Sequence, residues 1–183
     1  ILVKFMILVI ISKILGIKTH EYMGYVDGHL NNVLLDTGEL VGKIEKKIEE
    51  FQPDILLTFD LLGISGHLDH IAVALATTKA FDESASVKKL YYACISQTVA
   101  DQALKMMHRR IWGRTKEEIT TTINVEKFLE TKINAAMCHK TQLRDVERMM
   151  SRWKQYGGEE IFILGGSRVK SKLPETDLFS GIK

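Results

Sequence analysis

At 183 residues, 45% hydrophobic and 26% charged, the chain has the size and composition of an ordinary globular domain, which excludes the disordered and fibrous classes. Its formal charge of +2 is small and its basic residues are spread along the chain, so no nucleic-acid partner is expected; small-molecule chemistry or protein contacts fit better. Cys94 and Cys138 stand in neither a ligand nor a disulfide spacing, which points to a reducing, cytoplasmic setting.

The first stretch, Ile1 to Ile11, is an apolar run broken only by Lys4. It is shorter than the roughly 20 residues a bilayer-spanning helix takes. The length rule predicts a buried strand running into a helix, with membrane association through Ile1 to Ile11 left open. The chain begins with Ile rather than Met, which suggests a fragment or a processed chain. Gly16 predicts a helix stop, a short extended segment follows through Tyr22 to Tyr25, and Asp27-Gly28 is a turn signal. From Glu39, Leu40, Ile44, Ile48 and Phe51 form a helical stripe that Pro53 ends. Asp54 to Asp60 is a nearly continuous apolar run of the kind expected for a parallel strand covered on both faces.

The alternation then repeats: a helix from about Asp69 to Phe81, a strand over 88–96, a helix around Asp101 to Trp112, an extended piece over 120–125, a long helical stretch from Glu126 to Tyr156, and a strand over 159–166. The tail from Ser167 is polar and expected on the surface, with Leu178 and Phe179 docking back. This order predicts one domain over residues 1–183, an α/β fold with a mainly parallel sheet flanked by helices.

In such sheets ligands bind outside the carboxyl ends of the strands, where "LLGISGHLDH" is expected to lie. Ser65 or Asp69 is placed to cap the next helix. His67 and His70 are three residues apart, so at a helix start they address one small volume. One imidazole is able to ligate zinc, the other to donate a proton, and Asp69 to orient a histidine. Spacing alone leaves two readings open, a capped helix and a metal site. Asp60, ending the strand, is a candidate functional carboxylate, or one that bonds to loop amides. His20, His29, His108 and His139 are scattered and read as solvated or structural.

"LLTFDLLGISGHLDHIAVALA" resembles the second signature of the PIG-L/LmbE family of zinc-dependent N-acetylglucosaminyl deacetylases, a strand ending in Asp followed by G-H-x-D-H and a helix. "LGIKTHEYMGYVDGHL", "KKLYY", "AAMCHKTQL" and the closing "GGEEIFIL … DLFSGI" resemble further family segments in order, covering about Ser12 to Ile182. The resemblance implies a Rossmann-like fold and hydrolysis of the acetamide of an N-acetylated amino sugar, with release of acetate. Carried over by position, His70 is expected as a Zn2+ ligand, His67 as the acid that protonates the leaving amine or as the group that stabilises the oxyanion, Asp69 as its charge partner and Asp27 as a sugar-hydroxyl contact. Asp60 is assigned to substrate binding with Asp27. "SGH" is similar to the eukaryotic glycolipid branch, which would place the chain on the cytosolic face of the endoplasmic reticulum membrane. The Asp before His70 and "GYVDG" resemble the soluble prokaryotic branch, toward which the resemblance leans. Homo-oligomers are common in the family, so one is allowed for.

The family's first signature, [AP]-H-P-D-D-E, is absent from these residues, and with it two further zinc ligands and the general base. Roughly the first βα unit is therefore expected to be missing or altered. Truncation is favoured because the second signature is intact; the competing expectation is a family-fold protein that binds a glycan or a partner without hydrolysis. His139 and Gln142 of "HKTQ" are noted without a role.

Overall fold

The structure, a computed structural model, describes residues 2–30, 38–107, 110–156 and 158–183, with side chains for all of these except 2–6, 106, 107, 148, 152, 155 and 156. His108 falls outside the described residues. The chain divides into two units, one formed by Ile1–Tyr22 with Asn124–Glu160, the other by Met23–Ile123 with Ile161–Lys183.

In the first unit, α1 spans Leu2–Leu15, so the expected strand at the N-terminus is corrected to helix. The apolar run continues without a Gly or Pro to Leu15, too long for an ordinary strand and with no alternation of polar positions. Gly16 ends it as read from the sequence: at φ 69 it lets its own amide reach the Lys13 carbonyl at 3.3 Å and the Ile17 amide reach Ser12 at 2.8 Å, a Schellman closure. The expected long helix over 126–156 is interrupted. Short 3₁₀ turns at Glu126–Phe128 and Lys140–Gln142 flank α5 (Leu129–Met137) and precede α6 (Leu143–Tyr156). His139, at ψ 68, takes the backbone out of the helical region between them. His139 and Gln142 are both exposed. Lys132 ion-pairs with Glu160 and sits 4.7 Å from the Trp153 ring centre. No helix among the described residues is long and apolar enough to cross a membrane.

The second unit holds α2 (Glu39–Phe51), β1 (Ile55–Phe59), α3 (Leu68–Glu83), β2 (Lys89–Ala93) and α4 (Gln97–Met107). Of the predicted stripe on α2, Leu40 and Ile48 are buried and Phe51 is exposed, because Gln52 turns the chain away in a left-handed cap. No strand forms at Tyr22 to Tyr25. β3 (Thr121–Asn124) and β4 (Glu159–Ser167) complete a sheet of order β1-β2-β4-β3. β1 runs parallel to β2, with Ile55 opposite Lys89 and Phe59 opposite Ala93, whereas β4 is antiparallel to β2. The fold is thus α/β as expected, with a mixed sheet.

The core gathers Ile48, Ala80, Phe81, Val87, Leu90 and Tyr92. Ala72, Ala74, Ala76 and Ala80 are almost wholly buried on α3, so this helix meets its neighbours at close range on several sides. Gly165 and Gly166 of β4 permit a similar approach, since a Cβ would come within 2.4 Å of the Tyr92 and Phe81 rings respectively.

The tail is not simply a surface segment. Glu175 is buried and bonds Lys89 Nζ at 2.5 Å, and it accepts from the hydroxyls of Tyr91 at 2.6 Å and Thr121 at 3.1 Å. Its backbone pairs with Thr120 and Thr122, both at 2.9 Å. A polar sequence enters the interior here because a lysine on β2 supplies its counter-charge. Phe179, expected to dock, stays exposed, and it is the Leu178 carbonyl that accepts a bond from Tyr91 at 2.9 Å.

Burial raises the carboxyl of Glu175, but hydrogen bonds from Lys89 and Tyr91 outweigh this and hold it below its ordinary 4.5. A depressed carboxyl contributes stability that is present above its unfolded value and lost as the pH falls through the folded one. The denaturation midpoint is therefore expected to drop as pH is lowered below about 4.5, and Glu175→Gln should flatten that dependence. The variant should lose about 3–5 kcal/mol at neutral pH, since it strands Lys89 without its counter-charge; urea melts across pH check both.

Candidate active site

At the carboxyl end of β1 the chain reaches Asp60, 1% exposed. Its amide is paired to the Ala93 carbonyl at 3.0 Å, which fixes the residue to the neighbouring strand. Arg114 grips the carboxylate with two bonds, Nε to Oδ2 at 2.6 Å and Nη2 to Oδ1 at 2.8 Å, while the Leu62 amide donates to Oδ1 at 2.7 Å. Both carboxylate oxygens are thus engaged by protein donors and the group is almost out of solvent. Its carbonyl also accepts from the Gly63 amide at 2.7 Å, so Asp60 shapes the loop that follows.

That loop is unusual backbone. Gly63 takes φ +64, and a Cβ there would meet the Ile71 side chain at 2.9 Å. Ile64 sits at φ 60, ψ −58, a region a β-branched residue rarely enters. Such a conformation costs on the order of 1–3 kcal/mol and persists only where neighbours impose it. One neighbour is Trp112, whose amide donates to the Ile64 carbonyl at 2.6 Å.

The loop delivers His67 to the first turn of α3. Its side chain is the helix cap, in place of the expected Ser65 or Asp69: Nδ1 accepts from the Asp69 amide at 3.2 Å. An accepting Nδ1 puts the proton of the neutral ring on Nε2. His70 is set the opposite way. Its Nδ1 lies 3.3 Å from the Gly63 carbonyl, which only accepts, so Nδ1 carries the proton and Nε2 keeps a lone pair. The His70 ring stacks flat on Phe59, centroids 3.9 Å apart and 2° from parallel, and lies 4.8 Å from the His67 ring. The two neighbouring rings thus differ in which nitrogen carries the proton.

Asp69 is buried, and its carboxylate accepts from the amides of Gly28 at 2.6 Å and Leu30 at 3.1 Å. The carboxylate thus clamps the turn carrying Asp27, while it is the Asp69 amide that bonds His67. Asp27 is exposed on that turn. Among the described residues, Asp27, His67 and Asp69 form a group of possible metal ligands whose donor atoms lie within 4.8 Å of one another. His70 is not part of this group, and its Nε2 makes no hydrogen bond among the described residues. His20, His29 and His139 are not members of this group.

Arg114 and Trp112 escape sequence reasoning. Their segment follows α4, and Gly113 packs so closely on the start of α4 that a Cβ would lie 2.6 Å from Gln97 Cα. The available signal is the Trp-Gly-Arg triplet itself, a close-approach glycine between two large side chains. Burial first and Asp60 second push the Cys94 thiol up to about 12, so it stays protonated at neutral pH.

Residues 9–81 match the family profile described as PIG-L: GlcNAc-PI de-N-acetylase. This segment contains every residue of the histidine cluster. Over these residues the chain resembles the PIG-L family. It is 26% identical to a mycothiol S-conjugate amidase of Streptomyces coelicolor, over 93% of this chain and 73% of that protein. It is similarly 26% identical to a 1D-myo-inositol 2-acetamido-2-deoxy-alpha-D-glucopyranoside deacetylase of Saccharomonospora viridis, over 93% of this chain and 67% of that protein. A deacetylase of the same description from Mycobacteroides abscessus is 30% identical over 59% of this chain, which there spans 43% of the relative. In this PIG-L-like chain, Trp112 and Arg114 lie beyond the profile match.

The clamp makes a direct expectation. Hydrogen bonds to a charged acceptor contribute about 1.5–3 kcal/mol each, so Asp69→Ala should speed amide exchange at Gly28 and Leu30 at least about tenfold. Native-state hydrogen exchange by NMR reads this directly, and unchanged rates at both amides would remove the clamp from the site.

Proposed function

We propose that the chain carries the G-H-x-D-H half of a zinc-dependent N-acetylglucosaminyl deacetylase site, hydrolysing the acetamide of an N-acetylglucosamine conjugate to acetate and a free amine. The observation that supports this most is the opposed protonation of the paired histidines, together with the PIG-L-like segment in which they stand. His70 fits the metal: its Nδ1–H is held by a backbone carbonyl, the usual arrangement behind an imidazole that ligates through Nε2. Zinc in such a site polarises the acetyl carbonyl and makes water a nucleophile near neutral pH. His67 would hydrogen-bond the developing oxyanion through its Nε2–H or, from the charged ring, protonate the leaving amine. Asp69, within 4.8 Å of it, holds the turn in place. Asp27, exposed at the cluster, accepts from a sugar hydroxyl. The relatives named as deacetylases act on an inositol-linked amino sugar, and that is the substrate class proposed here.

A catalytic zinc site usually takes three protein ligands, and His70 supplies one. The H-P-D-D signature that would supply the others is not among the 183 residues. The 183-residue chain is accordingly expected to bind zinc weakly and to release no acetate from an N-acetylglucosamine–inositol conjugate. A form carrying an H-P-D-D segment upstream should bind one zinc and release acetate. In that form His70→Ala should lose the metal and the activity, while His67→Ala should keep the metal and lose about 10²–10⁴ in rate. Normal zinc content in the His70 variant, measured by elemental analysis, sinks the ligand assignment. Saturable binding of the conjugate without acetate release, even in the extended form, would favour a glycan-binding role instead.

A further inference from the structure

The loop that holds His70 has a support from outside the family signature. Arg114 reaches Asp60 across 54 residues of sequence and binds it through two nitrogens. Asp60 in turn accepts from the amides of Leu62 and Gly63 through its side chain and its carbonyl, both at 2.7 Å. The turn so formed points the Gly63 carbonyl at His70 Nδ1. Trp112, two residues before Arg114, holds the strained Ile64 that comes next. The segment is itself pinned, with Arg114 exchanging backbone bonds with Ile95 and Gln97 at 2.8 Å each.

We propose that Arg114 is a positioning residue for His70: its two-pronged bond to Asp60 sets the Asp60–Gly63 turn, and that turn keeps the His70 proton on Nδ1 and the Nε2 lone pair available. A single charge at that place would neutralise Asp60 equally well. The planar fork adds a fixed orientation of the carboxylate, and through it of the Leu62 amide that the carboxylate receives. Glu118 bonds Arg114 at 3.0 Å from its exposed side and does not touch Asp60, so it provides a control.

This inference rests on the hydrolase reading only for what His70 does with its lone pair; the geometry is tested without metal. Long-range ¹H–¹⁵N correlation of the histidine rings, at a pH where they are neutral, distinguishes Nδ1–H from Nε2–H, and His70→Asn assigns the signal. The chain is expected to show His70 as Nδ1–H. Arg114→Met should lose that signature in favour of an Nε2–H or averaged ring, while Glu118→Gln leaves it in place. An unchanged His70 signal in folded Arg114→Met overturns the proposal, as does an equal effect from Glu118→Gln. Should Arg114→Met fail to fold, Asp60→Asn keeps an acceptor for the Leu62 amide, removes the charge that Arg114 grips, and carries the test with the same two readings. In the zinc-binding form, Arg114→Met should also weaken zinc affinity about 10–100-fold. If no form binds zinc through His70, the hydrolase reading fails while the ring signal still decides the role of Arg114.

Discussion

Taking a carboxylate out of water at the end of a strand costs several kcal/mol unless a partner and hydrogen bonds answer it. Asp60 is such a carboxylate, and the answer it receives organises the neighbourhood. Arg114 neutralises it, the Leu62 amide is drawn to it, and the backbone leaving β1 takes a turn with positive φ at Gly63 and Ile64. The paired histidines inherit their orientation from that turn. The polar cluster is therefore less a set of independent side chains than a consequence of one buried charge.

A second buried pair answers a different need. Lys89 and Glu175 lie in the interior, where the tail joins the sheet beside β3. Replacing such a pair by apolar side chains is often neutral for stability, so its strength is not an argument for its presence. What the pair does supply is a unique place for the tail, since Glu175 fits only where Lys89, Tyr91 and Thr121 converge.

What a sequence reveals follows the range of the interactions. α2, β1, α3 and β2 are written locally, in stripes and apolar runs bounded by Pro53, Asp60 and Ser84, and they are legible. So are the histidine cluster and the turn at Asp27, because motif spacing encodes them. The N-terminal run misleads because a fully apolar stretch carries no period to separate strand from helix. The break near His139 is invisible for a related reason, as its flanks are both good helix. Arg114 escapes notice because a contact 54 residues distant leaves no local trace, and Glu175 because a polar tail reads as solvated unless its partner is known. Asp60 stands out as a special carboxylate, but residue order shows where a charge stands and not whether water reaches it.

The placement of the aromatic rings has a practical consequence. The chain has two tryptophans, Trp112 in the second unit and Trp153 in the first, each with a cation over its ring. Each unit thus contains one intrinsic fluorophore, and replacing either by Phe leaves a probe that reports on the other unit alone. Whether the two units melt together becomes an optical question, decided by whether the two single-tryptophan curves coincide. Trp112, bonded through its amide to Ile64, adds a reporter at the edge of the histidine loop that needs no label.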